Sequence, residues 1–152
     1  MEEKRRLIQQ LDQARETMRA VLAEVDTQME IYPNWTIKQV LAHITGWDEA
    51  TCSSLRAHAR GEEPAVPAAL GIDLYNAQSV AACEALNYEQ ISEEWELARE
   101  DLKAAIEEMP DELFNEPLLL PWGQTGTIEQ VVAIFADHEE EHTREIREMK
   151  AK

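Results

Sequence analysis

The sequence predicts an all-α protein, a four-helix bundle with a long crossover between its second and third helices. Two observations carry this. Four long segments repeat apolar residues at steps of three and four, the period of one helix face. Capping residues and prolines punctuate them, and the gap between the second and third segments is about thirty residues, far more than a bundle hairpin needs.

The first segment covers residues 2 to about 28. Leu7, Leu11, Ala14, Met18, Val21 and Val25 form a seam that demands partner helices. Arg and Glu fill many of the other positions and read as a solvated face. Tyr32-Pro33-Asn34 breaks the pattern, because Pro33 has no N–H to donate and pushes Tyr32 out of the helical region. The second helix begins at Thr36, an N-cap with Gln39 three residues on, which is a capping box; Trp35 can staple onto Val40. Its inward stripe is Ile37, Val40, Leu41, Ile44 and Leu55, and it runs to about His58. Gly61 to about Leu70 is a Pro/Ala/Gly-rich loop, and residues 72–86 can hold a short helix. The third helix runs from about Tyr88 to Met109 on Ile91, Trp95, Ala98, Leu102 and Ala105, and Pro110 ends it. Residues 111–126 are a loop. The fourth helix, Thr127 to Lys150, has no Gly or Pro and opens on a second capping box, Thr127 with Gln130. Nine residues from Thr36 align without gaps on nine from Thr127 with five identities, so these two helices read as equivalent packing units.

A chain of 152 residues fits one domain over its whole length, 1–152, with room for a core that needs no staples. Against 31 acidic residues stand 14 basic ones, a net charge of −17. Phosphates would be repelled over most of such a surface, so neither nucleic acid nor an anionic membrane is expected as a partner. The charge favours solubility and cationic or neutral ligands, and a salt-adapted source is another reading of it. No apolar run spans a membrane, and no signal-peptide core follows the N-terminus, so a cytoplasmic protein is expected. Cys52 and Cys83 have neither Cys-x-x-Cys nor zinc-ribbon spacing and read as reduced thiols.

His138 and His142 are four residues apart inside the apolar stripe of the fourth helix, one ring above the other. Two imidazoles so placed are what a divalent metal needs from one helix, and Asp137, Glu139, Glu140 and Glu141 would favour a cation nearby. The plainer alternative is a pair of core histidines satisfied by backbone or water. His43 lies on the flank of the second helix's stripe, next to Val40 and Trp47, and points across the bundle. His58, at that helix's end, does no more than favour the C-terminal dipole. Three imidazoles with an open position make a catalytic rather than a structural site, since a closed site wants four protein ligands and usually thiolates.

These residues carry a resemblance. Trp-Thr-Ile-Lys-Gln-Val-Leu-Ala-His43-Ile-Thr-Gly-Trp-Asp, then Ile72-Asp-Leu-Tyr-Asn, then His138-Glu-Glu-Glu-His142-Thr-Arg-Glu-Ile is similar to the DinB-like superfamily of four-helix bundles, over nearly the whole chain. The resemblance implies an up-down-down-up topology, which the long crossover permits. It also implies a divalent metal, zinc or nickel, on His43, His138 and His142, with water completing its shell. The superfamily includes isomerases and S-transferases that use mycothiol or bacillithiol, proteins described as metal-dependent hydrolases, and a self-protection branch that often lacks the triad. The expectation is therefore a divalent-metal-dependent enzyme of thiol-transferase or hydrolase type, with a small-molecule substrate and, in the first case, a low-molecular-weight thiol. A bundle that binds or sequesters a small molecule without turnover is the alternative, and a structural dimer is a third. Trp47, Trp122 and Tyr75 are candidates for pocket walls, with core packing as the other reading. Glu141 is one helical step from the site, where it could support a ligand or act as a base, but its plainer reading is an exposed helix-face residue, so no catalytic base is named.

Overall fold

The computed structural model describes residues 1–151. In chain order it has α1 (Glu2–Leu22), β1 (Glu30–Tyr32), β2 (Trp35–Thr36), α2 (Ile37–Ala59), α3 (Ile72–Ala82), α4 (Tyr88–Glu107), α5 (Asp111–Phe114), β3 (Leu118–Leu119), β4 (Thr125–Gly126) and α6 (Ile128–Ala151). The four long helices α1, α2, α4 and α6 form the bundle. Their directions follow from which side chains meet. Arg6 reaches Glu129, Arg15 reaches Glu139 and Glu24 meets Lys150, so α1 and α6 are parallel. Lys38 bonds Leu86 O, Asp48 pairs with Arg99 and Arg56 with Glu108, so α2 and α4 are parallel. Lys4 bonds Glu107 O while Arg19 pairs with Glu96, so α1 and α4 are antiparallel. The order is up-down-down-up.

The apolar stripes face inward as the periodicity predicts. Leu7, Leu11, Leu102, Ile106 and Val132 belong to one core cluster, and Met18, Ile37, Leu41, Trp95 and Ile146 to a second. Each such aliphatic side chain contributes about 1.5–3 kcal/mol on burial. Gln130 N donates to Thr127 Oγ1 at 3.3 Å and Thr127 N to Gln130 Oε1 at 2.9 Å, so the second capping box forms. At the first, Gln39 Oε1 accepts from Thr36 N at 2.7 Å.

Three expectations need correction. α1 stops at Leu22, not near residue 28, because Asp26 Oδ1 accepts from Gln28 N at 2.9 Å and closes a local turn that competes with the helix. The short crossover helix stops at Ala82. Two small antiparallel hairpins, β1–β2 and β3–β4, stand where only turns and loop were expected. The first turns on Asn34 at φ 69°, in the left-handed region that Asn tolerates, and it carries Tyr32 to the bundle's flank.

The crossover is docked rather than loose. Ala68 is buried and its N–H bonds Pro121 O at 3.1 Å. α3 buries none of its residues fully, yet it lies tightly on α2 because Gly46 lets it. A Cβ on Gly46 would come within 2.8 Å of Ser79 Cβ, and Tyr75 Oη donates to Gly46 O at 2.7 Å. Gly46→Leu is therefore expected to lift α3 from α2. The gain of about 1 kcal/mol in helix propensity offsets much of the stability cost, so the effect is local. Limited proteolysis should cut residues 61–87 several-fold faster; unchanged protection of that segment would contradict the contact.

Candidate metal centre

His43 comes from α2, and His138 and His142 from adjacent turns of α6. The bundle brings all three together. His43 Nε2 lies 3.0 Å from His138 Nε2, and His142 Nε2 lies 2.9 Å from the same atom. The capping box that starts α6 and the apolar stripe behind it fix that helix's rotation, so both rings face α2. Among the described residues, this trio is the His, Cys, Asp and Glu cluster whose potential ligand atoms lie close enough to hold one ion.

Two of the rings are locked from behind. Asn76 Oδ1 lies 3.0 Å from His43 Nδ1 and accepts from Trp47 Nε1 at 2.7 Å. An indole N–H only donates, so the Asn76 oxygen faces both rings and His43 carries its proton on Nδ1. Tyr32 Oη lies 2.7 Å from His142 Nδ1 and donates to Glu145 Oε1 at 3.0 Å. With its own proton spent on Glu145, Tyr32 accepts one from His142 Nδ1. Burial, with the Glu145 hydrogen bond second, raises the Tyr32 pKa, so the phenol stays protonated.

This fixes the fit of a cation. With protons on Nδ1, the Nε2 atoms of His43 and His142 are bare acceptors, both aimed at one nitrogen of His138. A single His138 N–H cannot serve both well, and a lone pair is left without a partner. Metal bonds of about 2.05 Å at tetrahedral angles would hold such nitrogens roughly 3.3 Å apart, close to the separations here. The triad is compatible with a divalent ion bearing open positions.

Burial, with the His138 imidazole second, pushes the His43 pKa down to about 4. Burial, then His138 and His43, pushes His142 down to about 3, and burial lowers His138. All three rings are thus neutral at pH 7, the form in which imidazole can bind a metal. The sign for metal-free protein follows. Unfolded histidine titrates near 6.5, so below that pH the unfolded chain takes up protons that the folded one refuses. Stability is full above about pH 6.5 and is lost as pH falls toward 4, at about 1.4 kcal/mol per unit for His43 and for His142, with His138 adding loss in the same direction. The urea midpoint of chelated protein should drop between pH 7.5 and 5.0 by more than that of His43→Gln; equal drops would contradict the assignment.

Beneath the triad lies a feature that the periodicity does not announce. Arg15 of α1, Asp48 of α2, Arg99 of α4 and Glu139 of α6 are each at most 2% exposed. Arg15 Nε lies 2.6 Å from Glu139 Oε1, Arg99 Nη2 lies 2.8 Å from Glu139 Oε2, and Arg99 Nε lies 2.9 Å from Asp48 Oδ2. Arg15 also covers the Trp95 ring at 3.8 Å. One charge from each long helix therefore makes a neutral buried quartet. Burial raises the Asp48 pKa against the pull of both arginines; for Arg99, burial is outweighed by Asp48 and Glu139, which raise it. Glu139 is consequently committed to the arginines and is not a free charge drawing in a cation. Glu140 and Glu141 are exposed, as is Asp137.

Beside the triad opens a cleft of about 400 Å³, whose walls include Trp47, Trp122 and Phe135. Tyr75 is not among the residues lining this cleft; its ring packs at a tilt against Trp47, 4.6 Å between centroids, and supports that wall. His58 stays away from the site, 3.4 Å from Leu113 O. Both cysteines are free thiols. No helix among the described residues is long and apolar enough to cross a membrane.

Up-down-down-up topology and a histidine trio between the second and last long helices define a class of bundles with a metal-competent centre. The chain belongs to the DinB superfamily, whose model matches residues 10–146. In fold it is similar to the crystal structures of the mycothiol-dependent maleylpyruvate isomerase and of a histidine-to-alanine mutant of that enzyme. Each matches at 15% identity and a TM-score of 0.77, over 94% of this chain and 60% of the other. The chain thus spans 60% of the length of those proteins. No curated protein matches it in sequence.

Proposed function

We propose that the chain is a divalent-metal-dependent enzyme in which His43, His138 and His142 hold zinc or nickel and the neighbouring cleft holds a small-molecule substrate. The single observation behind this is the convergence of three Nε2 atoms, those of His43 and His142 lying 3.0 and 2.9 Å from that of His138, with the first two left bare by Asn76 and Tyr32. A divalent ion there would supply Lewis acidity, lowering the pKa of a water or thiol that reaches it. The chain's own residues do the rest. Asn76 and Tyr32 orient the two rings, the quartet fixes the helices that carry them, and Trp47, Trp122 and Phe135 exclude water from one side. The likeness to a mycothiol-dependent isomerase supports a low-molecular-weight thiol as cosubstrate, hence thiol transfer or isomerisation over hydrolysis.

Cobalt substitution separates these. If a thiol reaches the centre, cysteamine or a larger thiol should add a near-ultraviolet sulfur-to-cobalt band to cobalt-loaded protein. His43→Ala should lose the band. A cobalt spectrum indifferent to thiol would remove the thiol reading and leave hydrolysis.

A further inference from the structure

We propose that a small primary alkylammonium ion binds in a second pocket, between α2 and α3 and separate from the triad. The pocket holds about 260 Å³ and shares no lining residue with the cleft beside the histidines. Thr45 carries the observation that asks for a ligand. It lines the pocket at 3% exposure, and its Oγ1 has no hydrogen-bond partner among the described residues. A buried hydroxyl left unpaired is rare in a folded protein and marks a place where a polar group can bind. Facing it from α3 is Ser79, whose Oγ fills the space where a Cβ on Gly46 would stand.

The charge around the pocket sets the sign of the ligand. Glu49, one helical turn beyond Thr45, stands exposed at the rim. Partial burial, then the carboxylates of Glu94, Asp48 and Asp101, raise its pKa, so negative charge is gathered there. Among the described residues no ion pair engages Glu49, Glu94 or Asp101; the pairs that join α2 to α4 use Asp48 with Arg99 and Arg56 with Glu108. No Lys or Arg lines the pocket. Lys38, which faces Cys83 at one end, is held by Glu84 O at 3.0 Å and Leu86 O at 2.8 Å. The hydroxyls of Thr45 and Ser79 and the Glu49 carboxylate are three acceptors, matching the three N–H donors of an ammonium group. Ala42, Ala82 and the Tyr75 ring give an alkyl stem an apolar wall. A divalent metal fits less well. Among the described residues only the histidine trio gathers three His, Cys, Asp or Glu ligand atoms closely enough for one ion, and magnesium asks for near-octahedral oxygens.

The probe is n-butylammonium, with n-butanol as its uncharged counterpart of equal length. An alkylamine carries its proton at pH 7. Titrating it into the isotope-labelled full chain should shift the backbone amide signals of residues 42–49 and 75–83, with affinity about tenfold or more above that of the alcohol at low salt. Glu49→Gln should weaken binding by about tenfold or more, and Thr45→Val by about threefold to tenfold. Valine keeps the shape of threonine, so a loss at an unchanged melting point reports the hydroxyl, and the exposed Glu49 position tests the charge without touching the core. Equal affinity for the alcohol, no binding of the amine, shifts centred on His138 and His142 instead, or indifference to both substitutions would overturn the proposal. So would displacement of the amine by an equal concentration of magnesium, which would mark the carboxylates as a diffuse cation sink.

Discussion

Replacing Arg99 with methionine is expected to cost about 3–5 kcal/mol of folding stability, because it breaks a buried ion pair from one side only. The guanidinium bridges Asp48 at 2.9 Å and Glu139 at 2.8 Å, and all three groups are sealed from water. Without it, two carboxylates share Arg15 alone, and one buried negative charge is left over. The quartet as a whole need not be worth that much, since an ion pair surrenders its hydration to form. The distinction is measurable. Asp48→Leu with Arg99→Met removes one unit of each sign and leaves the Arg15–Glu139 pair intact. The double variant should be more stable than the sum of the two single losses by at least about 1 kcal/mol. Urea denaturation of the four proteins gives the cycle; strictly additive losses would show that the four charges do not act together.

The second large effect is on metal affinity. Asn76→Leu removes the acceptor behind His43 and frees that ring to rotate or to move its proton to Nε2. Loss of such an outer hydrogen bond costs about 10- to 100-fold in affinity. Tyr32→Phe should act on His142 by the same route and to a similar degree. Asn76→Asp keeps an acceptor in place and should retain most of the affinity. Competition against a chromophoric zinc chelator reads all three. Equal affinity for Asn76→Leu and the parent would mean that the ring is held by packing alone, and a matching fall in Asn76→Asp would point to a disturbed α3 instead.

The bundle is legible in the sequence because each helix advertises itself twice, once in its stripe and once at its ends. Thr127 with Gln130 and Pro110 mark boundaries that the structure keeps to within a few residues. The triad is legible for a similar reason. A four-residue spacing inside a stripe gives two rings one direction, and His43 sits where a facing helix would complete them.

The quartet is not evident from the sequence, although a signal for it exists. Arg15 follows Ala14 in the α1 seam, Asp48 is four residues beyond Ile44, Arg99 is four beyond Trp95, and Glu139 is four beyond Phe135. Each charge stands at an inward-facing position of its stripe. One such misfit reads as a surface residue at the stripe's edge, and four opposite ones at equal depth read as a network only once the helices are assembled. Tyr32 has no local signal, and Asn76 enters the sequence reading only as the last residue of the Ile72-Asp-Leu-Tyr-Asn segment, with nothing there to assign it to His43. Their roles depend on a two-residue turn and on a docked crossover, and neither leaves a period in the sequence. The short strands escape a sequence reading for the same reason, being pairs of residues held by the turns between them.

The central claim is that three histidines hold a metal, and metal content tests it most directly. Protein made without a polyhistidine tag, beside its His138→Ala variant, should be analysed by plasma mass spectrometry before and after reloading with zinc and with nickel. About one divalent ion per chain is expected in the parent and none in the variant. No metal in either protein, even after reloading, would contradict it and leave a bundle whose buried imidazoles serve packing alone.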